Sequence, residues 1–436
     1  MSPPHATQGS GKRQHGRRQG RSAPRAPGNP AAPAWKSLPA GELGDRVVLR
    51  QGRARPLWFG HPWVYSNAIL RVEGSPEAGS VVPVYDHDER FIARGLWNPN
   101  SQIPIRVLDH EQGNLALNTA YFETRIKAAM AQRASIGLPS ATTTAYRLVN
   151  SEGDGLPGLV VDVFGKAVAV QITTLGFWRA RDAIFDALMS QLKPDTIFQV
   201  GAGTYGDVEG FASQSEPVRG KGGSSFTCLE DGITLVVEPL SGQKTGMFLD
   251  QRMARMRVGQ LAKGKRVLDL YAYAGGFSLQ AARGGATKVT AIDSSARAVA
   301  RIELHATENR LDSKITAVES DVFRYLETAT PGSVDLVIVD PPKFASARKD
   351  LEAARKGYER LNALAIKTCA PGGLMLTCSC SQNVSEEDLE RIVAAAGKQA
   401  GRTVTLLERW GAGPDHPVPP GFTEGRYLKV LLIHVA

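Results

Sequence analysis

The sequence has few cysteines and no long apolar run. Only four cysteines occur in 436 residues, none in C-x-x-C spacing, and Cys369, Cys378 and Cys380 fall within twelve residues. A disulfide framework is therefore not expected, and no metal site is predicted. No stretch of about 18 apolar residues occurs, and the N-terminus lacks the apolar segment of a secretory signal. These absences predict a cytoplasmic protein with reduced thiols and no membrane span.

Acidic residues are missing from the first 41 residues, which carry seven lysines and arginines. The whole chain has a net charge of +9, so this segment accounts for all but +2 of it. A segment rich in Pro, Gly, Ala and Arg cannot build a hydrophobic core, and residues 1–43 are predicted to form a disordered basic tail. Such a tail either adds non-specific affinity for phosphates or is a solvated extension, and its composition does not separate the two.

Residues 44–115 contain short β segments separated by turn residues, which predicts a small β-barrel domain. Aromatic residues and arginines alternate through it, a combination that suits stacking on unpaired bases and contact with phosphates. They are Trp58, Trp63, Tyr65, Trp97, Arg53, Arg55, Arg71 and Arg94. Taken singly, Trp63 and Trp97 fit the core of a barrel better than an RNA surface.

The next segment, residues 116–232, alternates strand and helix patterns without a catalytic constellation. It predicts an α+β central domain, with a loop over residues 201–225 because glycine and serine are frequent there. From residue 233 to 436 strands and helices alternate regularly, which predicts a Rossmann-like, mostly parallel sheet of seven strands. Four prolines between residues 414 and 420 leave no room for a helix before the last strand, so that strand is predicted to be antiparallel.

The pattern from Arg266 to Phe277 is strand, glycine turn and helix start, the entry unit of a doubly wound nucleotide site. Tyr271 and Tyr273 stand where a G-x-G-x-x-G fingerprint needs small residues, so a pyrophosphate cradle is missing. Asp269 ends this strand, and Asp293 ends the next strand at the spacing where a carboxylate accepts hydrogen bonds from a ribose diol. These features predict a nucleoside cofactor without a pyrophosphate.

Two further strands bring reactive groups to the same edge of the predicted sheet. Asp340 follows the fourth strand and is succeeded by Pro341-Pro342-Lys343-Phe344, a rigid turn suited to a planar base. Cys378 and Cys380 fall at the end of the fifth strand and share a face under period-2 alternation. Because only a residue beyond the strand end is expected to be exposed, Cys380 is predicted to be the reactive thiol and Cys378 to be core.

Several motifs together resemble one family, the bacterial class I S-adenosylmethionine-dependent methyltransferases that make 5-methylcytosine in large-subunit rRNA and carry an N-terminal PUA domain. The resemblance extends from about residue 46 to the C-terminus, and its most specific motifs lie in the last third of the chain. The motifs are His61–Ser66, Asp154–Gly158, Gln243–Arg252, Asp340–Phe344, Gly357-Tyr358, Ser379–Ser381, Asp415–Pro417 and Glu424–Lys429.

The resemblance implies roles for individual residues. Cys380 would add to C6 of the cytosine and activate C5, while Asp340 would stabilise or protonate the base at N3. Lys343 stands where the wider superfamily often has a second cysteine, so it joins the catalytic candidates and the acceptor of the C5 proton stays open. The implied cofactor contacts are Asp269, Tyr271, Gly275, Asp293 and Asp321, with Gln243, Phe248, Asp250 and Arg252 around the methionine end. For Asp321 a helix N-cap role is equally compatible.

Two other functions remain open at this point. An RNA base N-methyltransferase, for example acting on guanine, would use the Asp340–Phe344 loop and would need no thiol. A non-catalytic RNA-binding ribosome-assembly factor would only retain the fold. The predicted partner is large-subunit rRNA, as naked RNA or in an assembly intermediate, with S-adenosyl-L-methionine as cofactor, no membrane, and a homodimer left open.

Overall fold

The computed structural model describes residues 35–41, 44–240, 245–344 and 351–436. Most of the predicted basic tail, residues 1–34, lies outside the described residues, and so does Gln243. Within the described ranges, no helix is both long and apolar enough to cross a bilayer.

The N-terminal part forms a seven-stranded sheet with the order β1-β4-β2-β5-β6-β7-β3. Strands β2 to β7 all contribute to one apolar cluster, as expected of a small barrel. The elements are β1 (Lys36–Leu38), β2 (Arg46–Leu49), α1 (Arg55–Trp58), β3 (Trp63–Val64), β4 (Ile69–Glu73), β5 (Val81–Tyr85), β6 (Phe91–Trp97) and β7 (Ile105–Asp109).

Two predictions for this region need correction, one for the end of the tail and one for Trp63, whereas the prediction for Trp97 is confirmed. β1 pairs in parallel with β4, so the end of the predicted tail belongs to the sheet. Trp97 is buried and packs edge-on against Trp35, which confirms its core role. Trp63 is not a core residue: its Nε1 donates to Glu152 at 2.7 Å and its ring lies 4.5 Å from Phe422. The partners of Trp63 come from distant parts of the chain, which a local pattern cannot reveal.

The central part is a five-stranded sheet, β12-β11-β10-β9-β8, in which only β10 and β11 pair in parallel. Its helices cover the sheet around a separate apolar cluster. The elements are α2 (Thr119–Ser135), β8 (Ala145–Asn150), β9 (Leu159–Phe164), β10 (Ala167–Ile172), α3 (Leu175–Arg179), α4 (Arg181–Leu192), β11 (Thr196–Val200), α5 (Thr204–Glu209) and β12 (Glu216–Gly220).

The predicted loop over residues 201–225 is wrong, because it contains α5 and β12. The glycines there mark the ends of elements rather than a continuous loop. Gly203 precedes α5 and Gly210 follows it, both with positive φ, and Gly220 ends β12 in the same way. Glycine is the residue that adopts this conformation without steric cost.

A hairpin leads from the central part into the C-terminal part. It consists of β13 (Phe226–Glu230) and β14 (Ile233–Val237), which pair antiparallel. Leu229 bonds to Thr144 of the central part through both its backbone groups, while Thr234 bonds to Asn309 of the C-terminal part. The hairpin therefore fixes the two parts to each other.

The C-terminal part confirms the predicted Rossmann-like sheet, with the strand order β17-β16-β15-β18-β19-β21-β20. β21 pairs antiparallel with both β19 and β20, as the prolines before it predicted. The elements are α6 (Arg252–Leu261), β15 (Arg266–Leu270), α7 (Gly276–Arg283), β16 (Lys288–Asp293), α8 (Ala296–Glu308), β17 (Ile315–Glu319), α9 (Val322–Thr328), β18 (Val334–Val339), α10 (Leu351–Thr368), β19 (Cys369–Ser379), α11 (Glu386–Ala400), β20 (Val404–Trp410) and β21 (Lys429–Val435).

Candidate active site

The main cavity of the described residues opens where the strand order reverses between β15 and β18. Ligands of open α/β sheets bind at this point, at the carboxyl ends of the strands. The cavity has a volume of about 310 Å³. Its lining includes six of the residues predicted from sequence: Phe248, Asp250, Tyr271, Asp293, Asp340 and Cys380.

The turn after β15 forms one wall of this cavity. Tyr271 and Tyr273 both have positive φ, as does Gly275, so the chain reverses sharply before α7 begins. The Asp293 carboxylate braces the turn by accepting from the backbone N–H groups of Tyr273, at 2.9 Å, and Ser295, at 3.0 Å. The sheet end thus presents a half-buried carboxylate beside two aromatic rings.

Asp269 lies behind this turn and does not line the cavity. Its Oδ2 accepts from the backbone N–H and the hydroxyl of Ser278, at 3.0 and 2.6 Å, which ties β15 to α7. Burial, reinforced by the nearby Asp340 charge, raises the pKa of Asp269 to about 7 despite these hydrogen bonds. Gly275 likewise shapes the turn, since an added Cβ would meet Ile302 at 3.2 Å, and it is not among the lining residues.

Asp340 stands at the end of β18, facing the end of β19. Gln251 donates from its amide to the Asp340 carboxylate at 2.6 Å, and its amide oxygen accepts from the Cys378 thiol at 3.6 Å. This short chain of contacts fixes the carboxylate at the mouth of the cavity. Gln251 belongs to the motif Gln243–Arg252, but its role was not anticipated from the sequence.

Cys378 in β19 and Cys380 just after it have different environments. Cys378 is fully buried, and burial raises the pKa of its thiol well above the usual value. Cys380 follows the last residue of the strand, is half-buried and lines the cavity. The predicted core position of Cys378 is therefore confirmed, while Cys380 is only partly exposed, at the cavity.

A lysine that sequence reasoning missed lies close to Cys380. Lys429 donates from Nζ to the carbonyl oxygens of Ser381, at 2.6 Å, and Tyr427, at 2.7 Å. Burial lowers the pKa of Lys429 to about 8, an effect that the neighbouring Cys380 thiolate opposes. Lys429 ends the motif Glu424–Lys429, which was the available signal. Lys343 is exposed and does not line the cavity.

Two other predicted cofactor contacts have structural partners instead. Arg252 is buried and pairs with Asp415 at 3.1 Å, so it points away from the cavity. Asp321 is the N-cap of α9 and accepts from the Arg324 N–H at 2.9 Å. The structure does not bring either residue into the cavity lining.

Comparison with known proteins decides the family. Residues 47–110 match the model of a PUA-like domain, and residues 210–431 match that of an S-adenosylmethionine-dependent methyltransferase. A protein named ribosomal RNA large subunit methyltransferase I from Klebsiella pneumoniae is 35% identical over 391 residues, covering 89% of this chain and 97% of the relative. Its namesake from Shewanella denitrificans is 35% identical over 402 residues, covering 90% and 100% respectively.

This chain belongs to the ribosomal RNA large subunit methyltransferase I family. It is accordingly an S-adenosylmethionine-dependent methyltransferase, and the predicted PUA-like domain and cofactor are confirmed. Two solved structures share the fold of this methyltransferase. One, described as a methyltransferase in complex with SAH, gives a TM-score of 0.77 at 24% identity over 89% of this chain and 100% of its own. The other, from Streptococcus mutans, gives a TM-score of 0.75 at 24% identity, over 92% of this chain and 100% of its own.

The residues of the cavity fit S-adenosylmethionine. Carboxylates of Asp250, Asp293 and Asp340 suit a ligand with a sulfonium and an ammonium charge, and a carboxylate at a strand end, as Asp293 is, can accept hydrogen bonds from a ribose diol. Aromatic rings of Phe248, Tyr271 and Tyr273 supply apolar surface beside them. The turn itself is closed to larger residues, since a Cβ on Gly276 would lie 2.7 Å from Arg255.

Proposed function

We propose that this methyltransferase acts on large-subunit rRNA and methylates a cytosine at C5 through a covalent adduct between Cys380 and C6 of the base. The relatives support the RNA part of the proposal, since proteins at 35% identity over almost their whole length carry that name. The observation that carries the cytosine assignment is the presence of a half-buried thiol, Cys380, in the same cavity as Asp340 and Asp293.

The chemistry explains why a thiol is needed. Cytosine C5 is a weak nucleophile, and addition of the Cys380 thiolate to C6 converts it into an enamine-like carbon. When bound, S-adenosylmethionine would supply its sulfonium methyl group to C5, and the S–CH3 bond would break to leave S-adenosylhomocysteine. Asp340 would hydrogen-bond the N3 edge of the base while charge builds up there. Loss of the C5 proton to a base then allows the C6–S bond to break, which releases the Cys380 thiolate.

The acceptor of the C5 proton is a separate part of the proposal. Lys343 is exposed, whereas Lys429 is buried next to Cys380, and burial lowers the pKa of Lys429 to about 8. An amine with this pKa is partly neutral near pH 7 and could accept a proton. However, the Lys429 amine donates to two backbone carbonyls, which also suits a fixed ammonium that stabilises the Cys380 thiolate.

The main competing function is N-methylation of a base, since the Asp340 carboxylate could equally hold an amino group. That reaction has no covalent intermediate, so it would not need Cys380. The test is therefore methyl transfer from labelled S-adenosylmethionine to unmodified rRNA by wild type, Cys380→Ala and Cys378→Ser, with the product nucleoside identified by mass spectrometry.

We expect Cys380→Ala to lose methyl transfer while its S-adenosylmethionine affinity stays near wild type, because the thiol contacts the base. Cys378→Ser is the matched control, since it removes the core thiol, keeps a donor for Gln251 and should retain 5-methylcytosine formation. Full activity in Cys380→Ala, or a methylated purine as the product, would contradict the proposal.

A further inference from the structure

A second cavity lies where the three parts of the chain meet. Its volume is about 170 Å³. The N-terminal sheet contributes Trp63, the 3₁₀ turn after β8 contributes Glu152 and its neighbours, and the segment before β21 contributes Pro417 to Tyr427. None of the residues assigned above to the reaction lines this cavity, and the methyl-transfer chemistry does not account for it.

Two segments of the chain contribute neighbouring residues to both the second cavity and the active-site cavity. In the segment after β19, Cys380 lines the active-site cavity and Gln382 lines the second one. In the segment before β21, Leu428 lines the first and Tyr427 the second. A polynucleotide with its target base at Cys380 can therefore place a neighbouring base in the second cavity.

Flat apolar surfaces form the sides of this cavity. The rings of Trp63 and Phe422 meet edge to face with their centroids 4.5 Å apart, and Pro417 and Pro419 add rigid apolar surface to the lining. Arg106 stacks on Trp63 at 5.2 Å. Aromatic and arginine faces of this kind are what proteins use to hold unpaired RNA bases.

Two carboxylates line the cavity, and they differ in how fully they are bonded. Glu152 is almost inaccessible and accepts from Trp63 Nε1, from Arg106 at 3.2 Å and from the Ser151 hydroxyl at 2.5 Å. The side chain of Glu424 is 38% exposed, and its bonds to His61, Tyr65 and Thr423 are all long, at 3.3 Å. Glu424 therefore keeps acceptor capacity toward the cavity.

Gln382 adds an amide to the lining of this cavity. It is exposed, and its side chain has no hydrogen-bond partner among the residues that the structure describes. Arg426, next to the lining residues Gly425 and Tyr427, is exposed and can meet a phosphate of the same strand. The cavity thus combines stacking surface, an acceptor, an amide and a nearby cation.

We propose that the second cavity binds an unpaired guanine next to the target nucleotide, with Glu424 and Gln382 recognising its edge. This inference rests on RNA being the substrate, as proposed above. A carboxylate accepts from the adjacent N1–H and N2–H groups that guanine presents, whereas adenine has an unprotonated N1 there. The Gln382 amide can donate to O6 of the same base.

The test is equilibrium binding of short single-stranded RNAs with a central cytosine to the full chain in the presence of S-adenosylhomocysteine. Guanosine, inosine or adenosine is placed in turn at each position flanking the cytosine, and binding is followed by fluorescence anisotropy. We expect guanosine at one flanking position to bind about tenfold more tightly than adenosine, the effect of one good paired contact to a base edge. Inosine, which lacks the 2-amino group, should lie between them.

Glu424→Gln should reduce this preference to about twofold or less while leaving affinity for the adenosine RNA within about twofold. Gln382→Ala, which removes an exposed side chain without a hydrogen-bond partner, should also reduce it and tests the idea without risk to folding. Glu216→Gln is the matched control, because it removes the same charge from an exposed position on β12 and should retain the preference.

Equal affinity for guanosine and adenosine at every flanking position, or a preference that Glu424→Gln and Gln382→Ala leave intact, would overturn the proposal. Binding does not depend on methyl transfer, so this outcome is separate from the fate of the cytosine assignment. A guanine preference that depends on Glu424, together with no methylation of the central cytosine, would keep the base pocket and remove the proposed target.

Discussion

At the scale of single residues, position relative to the strand end decides what each side chain can do. Cys378 and Cys380 have the same chemistry and differ by two positions in sequence. Cys378 is sealed in the core, where burial raises its pKa, and Cys380 lies one residue past β19 at the cavity. A thiol acts as a nucleophile only as an accessible thiolate, so the end of the strand separates the accessible cysteine from the buried one.

Asp269 should make stability depend on pH. Burial raises the pKa of Asp269 from its ordinary value of 3.8 to about 7 in the folded state, so the folded protein holds a proton that the unfolded chain releases. Stability is therefore lost as the pH rises from about 4 to about 7 and stays low above that. We expect Asp269→Asn, which keeps an acceptor for Ser278, to melt at a higher temperature than wild type at pH 8.

The difference in melting temperature between Asp269→Asn and wild type should narrow toward pH 5, where the folded wild type is protonated at this site. Thermal unfolding at several pH values measures it. Affinity for S-adenosylmethionine should stay within about threefold of wild type, because a side chain outside the cavity lining makes no contact to lose. A large loss of affinity would restore the role predicted from the sequence.

Lys429 should favour the thiolate form of Cys380. Replacing it with Met removes a positive charge beside the thiol, and we expect alkylation of Cys380 by iodoacetamide at pH 7.5 to slow by about threefold or more. Lys429→Arg keeps the charge and should slow it less. Mass spectrometry of the peptide containing Cys380 gives the rate, and an unreactive Cys378 in each variant reports an intact core. Equal rates in all three proteins would contradict this role.

At the scale of elements, the site is assembled from strand ends and helix starts. β15, β16, β18 and β19 are parallel neighbours, so their carboxyl ends form one edge and the residues after them share one cavity. The next acidic position, Asp321, follows β17 at the outer end of this series. It caps α9 there, and its distance from the switch point in the strand order explains why it does not line the cavity.

Asp293 and Asp321 offer a direct comparison. We expect Asp293→Ala to weaken S-adenosylmethionine binding by about 1.5–3 kcal/mol, the range for a hydrogen bond to a charged group. Asp321→Asn keeps a capping oxygen and should leave the affinity near wild type. Isothermal titration calorimetry measures both. The opposite ranking would mean that the acidic residue after β17 contacts the cofactor, as the family resemblance first implied.

At the scale of the whole molecule, one buried carboxylate links the central and C-terminal parts. Asp415 is fully buried and pairs with Arg252, and it accepts from the backbone N–H of Arg147 at 3.0 Å, while its carbonyl accepts from Arg133 at 2.9 Å. Burial works against its charge, yet His416 and Arg252 lower the pKa of Asp415 to about 2. A buried charge with several partners is costly to disrupt, so this contact fixes the parts that border the second cavity.

The contribution of the basic N-terminal segment to RNA binding can be tested by deletion. Because β1 belongs to the sheet, the informative deletion removes residues 1–33, which carry six lysines and arginines and no acidic residue. We expect the shortened protein to methylate the same position but to bind an rRNA fragment more weakly. Its affinity should depend less steeply on salt. The slope of log affinity against log salt should become less negative by at most about five, and by less if few of these charges contact phosphates.

Binding across a salt series measures the slope for three proteins: the full chain, the deletion, and a full-length chain with the six cations replaced by Gln. The glutamine form should behave like the deletion if charge alone is responsible. Identical slopes for all three would show that the tail does not bind RNA and that the folded residues do so alone.

The sequence by itself determined the features that depend on local periodicity and on strand ends. Alternating patterns predicted the Rossmann-like sheet, and the prolines before β21 predicted its antiparallel return. The ends of parallel strands must lie on one edge, so the sequence alone places Asp293, Asp340 and Cys380 in one cavity.

Only the tertiary structure decided which way side chains of the same motifs point. Asp269 and Arg252 lie in the predicted motifs, yet the first supports Ser278 and the second pairs with Asp415, 163 positions away. Trp63 and Phe422 meet across a still longer separation to form the second cavity. Contacts between distant segments depend on how the three parts pack together, and a pattern read along the chain does not contain that information.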